Sequence, residues 1–177
     1  MRITGGTGRG RRLKAPTGPR VRPTSDKVKQ ALFNIIGDRI EDATFLDLFA
    51  GAGGIGIEAL SRGAERVVFV DDSRESLSLA RINVEQAGFS DRAQLVLSKA
   101  ESFLGKPSGP YDIVFLDPPY AMELGPLLRL IAASGIVKPG GDVIAEHFKK
   151  QPSPPAAGAL TRYREARYGD TVLAFYR

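Results

Sequence analysis

"TFLDLFAGAGGIGIEALSRG", residues 44–63, decides the fold. Its first seven residues form an apolar run of strand length, and its last ten a helical pattern closed by Gly63. Between them stands Gly51-Ala-Gly53-Gly-Ile-Gly56, a literal G-x-G-x-x-G. Glycines at this spacing let the backbone turn sharply, approach a ligand and pack the helix tightly on the strand. The amides of the helix N-terminus are then turned toward the ligand. About twenty positions on, Asp71 closes the next apolar run, where a carboxylate accepts hydrogen bonds from ribose hydroxyls. A nicotinamide dinucleotide fits this much of the pattern. Asp47, inside the first strand, is additional: a buried acid needs a partner. It either orders the glycine loop or holds a cationic group of the ligand through a water.

Outward from this unit the pattern repeats. "RVVFVD" (66–71), "AQLVLS" (93–98), "YDIVFLD" (111–117) and "GDVIAEHF" (141–148) read as strands. "SRESLSLARINVEQAG" (73–88) and "ELGPLLRLIAASG" (123–135) read as helices. Continuous Val, Ile, Leu and Phe strands alternating with helices predict an α/β fold, a parallel sheet covered on both faces. Upstream, "RPTSDKVKQALFNIIG" (22–37) predicts a helix with Thr24 or Ser25 as N-cap and Gly37 as stop. Arg22 and Thr24 either border the ligand pocket or serve that cap. "RYREARYG" and "DTVLAFYR" predict a closing antiparallel hairpin, and "QPSPPAAGA" (151–159) a connector. The division expected is 1–40, a basic arm and helix, followed by 41–177, the catalytic domain.

The charge is uneven. Residues 1–30 hold nine basic side chains against Asp26, so this segment carries +8 and the rest −3 of the overall +5. Such an arm meets a polyanion, most often nucleic acid. Gly and Thr interleaved with Arg, and apolar Ile3 and Leu13, predict a small β-hairpin. There is no cysteine and one histidine, His147, which leaves no thiolate metal site and no multi-histidine site. No metal is expected. His147 reads as a packing or hydrogen-bonding residue, and Glu58 as serving its helix. No apolar stretch approaches the ~20 residues of a membrane span, and the first residues lack a signal-peptide core. No membrane partner, a cytoplasmic location and a monomer are expected.

The second decisive stretch is "LDPPY" (116–120), at the end of the fourth strand. In an open α/β sheet Asp117 and Asp71 end at one crevice. An exocyclic base amine is a poor nucleophile because its lone pair is delocalised into the ring. Two acceptors aimed at its N–H bonds, the Asp117 carboxylate and the Pro118 carbonyl, would turn it toward sp³ geometry. The two prolines fix that carbonyl, and Tyr120 can stack on the base. A methyl donor bearing an ammonium and a sulfonium, S-adenosylmethionine, suits the extra acid at Asp47. A nicotinamide ligand leaves Asp117-Pro-Pro-Tyr120 without a purpose.

With these two motifs in order, the chain resembles the RsmD family, the 16S ribosomal RNA guanine-N2 methyltransferases. "RITGGTGRGRRL" (2–13), "RPTSDKVKQALFNII" (22–36), "LDLFAGAGGIGIEALSRGA" (46–64), "DPPY" and "YGDTVL" (168–173) carry the resemblance. It implies a Rossmann-like seven-stranded methyltransferase sheet, S-adenosylmethionine as donor and S-adenosylhomocysteine as product. It also implies a guanine of 16S ribosomal RNA in 30S particles as acceptor. By the resemblance Asp47, Phe49, Ala50, Gly51, Gly53 and Ala100 line the donor, and Asp71 takes the ribose. Asp117, Pro118 and Tyr120 hold the guanine, and Arg9, Arg11, Arg12, Lys14, Arg20 and Arg22 meet the RNA. A DNA or other RNA base amine remains the alternative acceptor. Where the family has Asp-Ala after the third strand, this chain has Lys99-Ala100. Either Glu101 receives the adenine amino group, or backbone groups alone do.

Overall fold

Eight strands form one sheet in the computed structural model, which describes residues 1–16, 24–106 and 108–177. They are β1 (Thr44–Asp47), β2 (Arg66–Asp71), β3 (Ala93–Leu97), β4 (Tyr111–Leu116), β5 (Val137–Phe148), β6 (Ala156–Ala157), β7 (Leu160–Tyr168) and β8 (Thr171–Tyr176). The order is β3-β2-β1-β4-β5-β8-β7-β6. The first five are parallel, and β8 and β7 close the sheet antiparallel. The chain therefore reverses its direction of travel across the sheet between β1 and β4, where ligands bind in such folds.

Each strand of the parallel part feeds both faces. Phe45, Ile113, Phe115 and Ile144 join the cluster under α1 (Asp26–Ile36), α2 (Gly54–Ser61) and α3 (Arg74–Ala87). Leu46, Val114, Leu116 and Ala145 face α4 (Ala100–Leu104) and α5 (Leu124–Ser134) on the other side. The helix signals operate as expected: the Ser25 and Ser73 hydroxyls accept from Val28 N and Ser76 N, and Gly37 and Gly88 follow the last turns. Of the two N-cap candidates, Ser25 is the cap, and Thr24 is free for another task.

Several boundaries differ from the sequence pattern. The two-residue β6, inside the expected connector, brings the strands to eight rather than seven. β5 starts at Val137 instead of 141, because a bulge carries the strand through Pro139, Gly140 and Gly141. Helix α4 had no periodic signal, being only five residues long. The expected arm hairpin forms: Arg2 and Arg12 are bridged antiparallel, Ile3 N donates to Arg11 O, Gly10 N to Ile3 O and Leu13 N to Met1 O. The body fastens it further: Ile3 and Leu13 are buried in the same cluster as α1, α2 and α3. The Ser61 hydroxyl accepts from Gly8 N and donates to Gly5 O.

Candidate active site

Strands β1, β2, β3 and β4 end around one cleft of about 860 Å³. The turn after β1 forms one wall. Gly53 takes φ +83°, the left-handed conformation that starts α2, and a Cβ on Gly56 would stand 2.2 Å from the Phe69 ring. The helix can approach β2 only because Gly56 has no side chain. The carboxylates organise the rest. Asp71 accepts from Gly51 N at 2.8 Å and from Ser73 N at 2.9 Å, linking the tips of β1 and β2. Asp47 is 1% exposed and accepts from Gly56 N at 3.0 Å, so it orders the glycine loop directly. Burial, with Asp71 and Asp117 nearby, pushes its carboxyl up to about 7, although the Gly56 hydrogen bond opposes the shift.

The opposite wall follows β4. Asp117, partly covered at the cleft floor, is pushed up to about 6 by desolvation. Tyr120 is 73% exposed, with its ring edge-on to Phe148 at 5.9 Å. The loop behind it is fixed by the Gln151 amide, which donates to Tyr120 O and Met122 O at 3.3 and 2.8 Å.

Most of the residues expected from sequence meet here. Asp47, Phe49, Ala50, Gly51, Asp71, Ala100, Asp117, Pro118 and Tyr120 all line the cleft. Gly53 packs under the turn instead, facing Ile57, Ala80 and Phe69. Glu101 lines the cleft beside Ala100. His147 is buried, its Nδ1 3.1 Å from Phe148 O and its Nε2 without a partner among the described residues. Among the described residues no His, Cys, Asp and Glu group is arranged to hold a metal.

Glu58 does more than serve its helix. Fully buried, it accepts from Thr4 N, Thr4 Oγ1 and Arg62 Nε, each at 2.8 Å, and lies 3.4 Å from the buried Lys29 ammonium. It clamps the arm to α1 and α2. Farther along, the Asn83 amide brackets Lys14 N and O and donates to Ala52 O, tying the arm to the glycine turn.

The arm cations take different positions. Arg11 donates to Ala87 O at the C-terminal end of α3. That helix has 14 residues, so Arg11 lies about 20 Å from the cleft end of the sheet. Arg9, Arg12 and Lys14 are exposed, and Pro16, just beyond Lys14, reaches the cleft. Arg20 and Arg22 lie outside the described residues.

Sequence reasoning missed Glu146. It is 8% exposed, and Thr24, which lines the cleft, donates to its Oε2 at 2.9 Å. Thr24 therefore borders the pocket, while Ser25 caps the helix. An acid inside the apolar run "VIAEHF" carried the same signal that Asp47 gave in "TFLDLFA".

The chain matches, over residues 1–177, the family described as Cons_hypoth95, conserved hypothetical protein 95. It is 39% identical over 181 residues to YlbH of Bacillus subtilis, covering 100% of this chain and 98% of that one. It is 34% identical over 178 residues to ribosomal RNA small subunit methyltransferase D of Escherichia coli, covering 100% and 89%. The solved structure of yhhF from Escherichia coli superposes with a TM-score of 0.90 at 32% identity, covering 99% of this chain and 96% of that one.

Proposed function

The chain belongs to the conserved hypothetical protein 95 family, and from that premise we propose that it transfers a methyl group from S-adenosylmethionine to the exocyclic N2 amine of one guanine in 16S ribosomal RNA, presented in 30S particles. Methyl transfer to small-subunit ribosomal RNA is the activity named for its Escherichia coli relative. The observation that carries the finer reading is Asp117-Pro118 at the floor of a cleft whose other wall is the glycine turn.

The residues fit the donor. Asp47, Asp71 and Asp117 give the cleft an acidic lining suited to a ligand with an ammonium and a sulfonium. Asp47 has one described hydrogen bond, which leaves lone pairs for a ligand or a bridging water. Asp71 already holds Gly51 N and Ser73 N, so its remaining lone pairs would take the ribose hydroxyls. Ala100 and its neighbours border the place for the adenine. When bound, the donor supplies a methyl on a sulfonium, whose sulfur keeps the electron pair of the breaking bond.

The chain's own groups do the rest. Asp117 accepts one amine N–H, the Pro118 carbonyl accepts the other, and Tyr120 stacks on the base. The amine lone pair is thereby aimed at the methyl carbon, and proximity supplies much of the rate. As nitrogen bonds carbon, the Asp117 carboxylate stabilises the positive charge developing on nitrogen and then takes its proton. Extrusion of a base costs a few kcal/mol, and stacking on one aromatic ring returns about 1–3 kcal/mol. That balance suits a guanine in an RNA loop better than one in intact duplex.

The test is transfer of labelled methyl to 30S particles lacking the modification, followed by mapping of the nucleoside. N2-methylguanosine at one position is expected. Label in another base or atom would overturn the guanine-N2 reading, and label in DNA alone would replace the RNA.

A further inference from the structure

The reaction described above uses Asp117 and leaves its neighbour Glu146 without a task. Parallel pairing aligns Leu116 of β4 with Ala145 of β5, so Asp117, one residue past the end of β4, follows alongside Glu146, which is still within β5. Strand alternation puts both on the sheet face of Phe115 and Ile144, toward α1. The groups around Glu146 include no cation bonded to it among the described residues. From the start of α1 comes the Thr24 hydroxyl, and the Lys29 ammonium is engaged with Glu58 and Arg2 O. On β8 the opposite residue is Leu173, and the next acid along the same face is Asp47 on β1. Two carboxyls placed side by side away from water cannot both ionise without a large cost, and such a pair shares a proton.

We propose, resting on the methyl-transfer reading, that Glu146 is a positioning residue of the acceptor site. It and Asp117 hold one proton between them, the proton resides on Glu146, and Asp117 therefore meets the amine as a carboxylate. Glu146 keeps the proton because it is the more deeply covered of the two, whereas Asp117 opens to the cleft. Thr24 Oγ1 lies 2.9 Å from Oε2 and holds the side chain in place. The same burial pushes Glu146 up to about 8, with Asp117 reinforcing the shift and Thr24 opposing it. After transfer the amine proton passes to Asp117 and leaves through the open cleft, so the Glu146 proton is not consumed.

Two measurements on the full chain test this. The first is the pH dependence of kcat on unmodified 30S particles. The wild type should show a basic limb near pH 8 as Glu146 ionises beside Asp117. Glu146→Gln, which mimics the protonated side chain, should keep kcat at pH 7 within about threefold and lose that limb. Glu146→Ala should lower kcat about tenfold or more with the donor KM unchanged. A basic limb that persists in Glu146→Gln, or a Gln variant as impaired as the Ala variant, overturns the proposal. The second is a carboxyl ¹³C titration of the wild type, which needs neither variant nor substrate. A Glu146 resonance titrating near 8 supports the pair, and an ordinary glutamate titration near 4.3 overturns it. Should the pair titrate as expected while the wild type transfers no methyl to RNA, the methyl-transfer reading fails and the carboxyl pair stands.

Discussion

At the scale of single residues, Asp117 and Gly56 separate chemistry from packing. Asp117→Ala removes the carboxylate that holds the amine but leaves the glycine turn and Asp71 intact. Its kcat should fall by about 10²–10⁴-fold while donor affinity, read by isothermal titration, stays within a few-fold. Surviving transfer would remove the amine-holding role. Gly56→Ala instead drives a methyl to 2.2 Å from the buried Phe69 ring. Such overpacking should cost about 1–3 kcal/mol in urea unfolding. Much of the site was legible at this scale, because Asp47 and Asp117 each break an apolar run and an acid there calls for a reason. Glu146 breaks one in the same way. Its partner, however, is Thr24, 122 positions earlier, and no local pattern joins the two. The motif does not tell a glycine that lines the cleft, Gly51, from one that packs beneath it, Gly53.

At the scale of elements, the strands of the parallel sheet were legible because their apolar runs are continuous and their turns carry glycine. The start of β5 was not, since Pro139-Gly140-Gly141 reads as a turn and becomes a bulge only when β4 pairs across it. The arm illustrates a second limit. Its alternation predicts the hairpin, whose two sides do bond each other, but not the side chains of the body that fasten it. Glu58 is the centre of that fastening, with Lys29 buried beside it. Glu58→Ala should therefore destabilise by about 3–5 kcal/mol, since it leaves a buried ammonium uncompensated. Adding Lys29→Met should recover part of the loss. Chemical unfolding of the two variants checks this: an unchanged midpoint for Glu58→Ala would mean that the clamp lies elsewhere.

At the scale of the whole molecule, two charge systems oppose each other, a basic arm and an acidic cleft. If the arm neutralises about five phosphates, activity at subsaturating RNA should fall with salt at a log–log slope of about −3.5 to −4.5. Replacing Arg9, Arg12 and Lys14 by alanine should flatten that slope by about 2–3 and leave kcat at saturating RNA unchanged. A slope near zero in the wild type would take the arm out of the binding account. The cleft makes the opposite kind of prediction. Asp47, Asp117 and Glu146 are raised by burial from 3.8, 3.8 and 4.5 to about 7, 6 and 8. A raised carboxyl binds its proton more tightly in the folded state, so its stabilisation is complete below about pH 4 and is lost as pH rises to about 8. Between pH 5 and 8.5 these three groups should lower the stability of the free protein by up to about 8 kcal/mol in all, and Asp47→Asn should flatten the decline. A cationic donor reverses the balance at Asp47, because it favours the ionised carboxyl that burial penalises. Binding should then release protons below pH 7, and the donor Kd should tighten from pH 6 to pH 8. Calorimetry in buffers of different ionisation enthalpy measures both effects. A Kd independent of pH, with no proton release, would mean that Asp47 does not face the donor's charge and only holds the glycine loop.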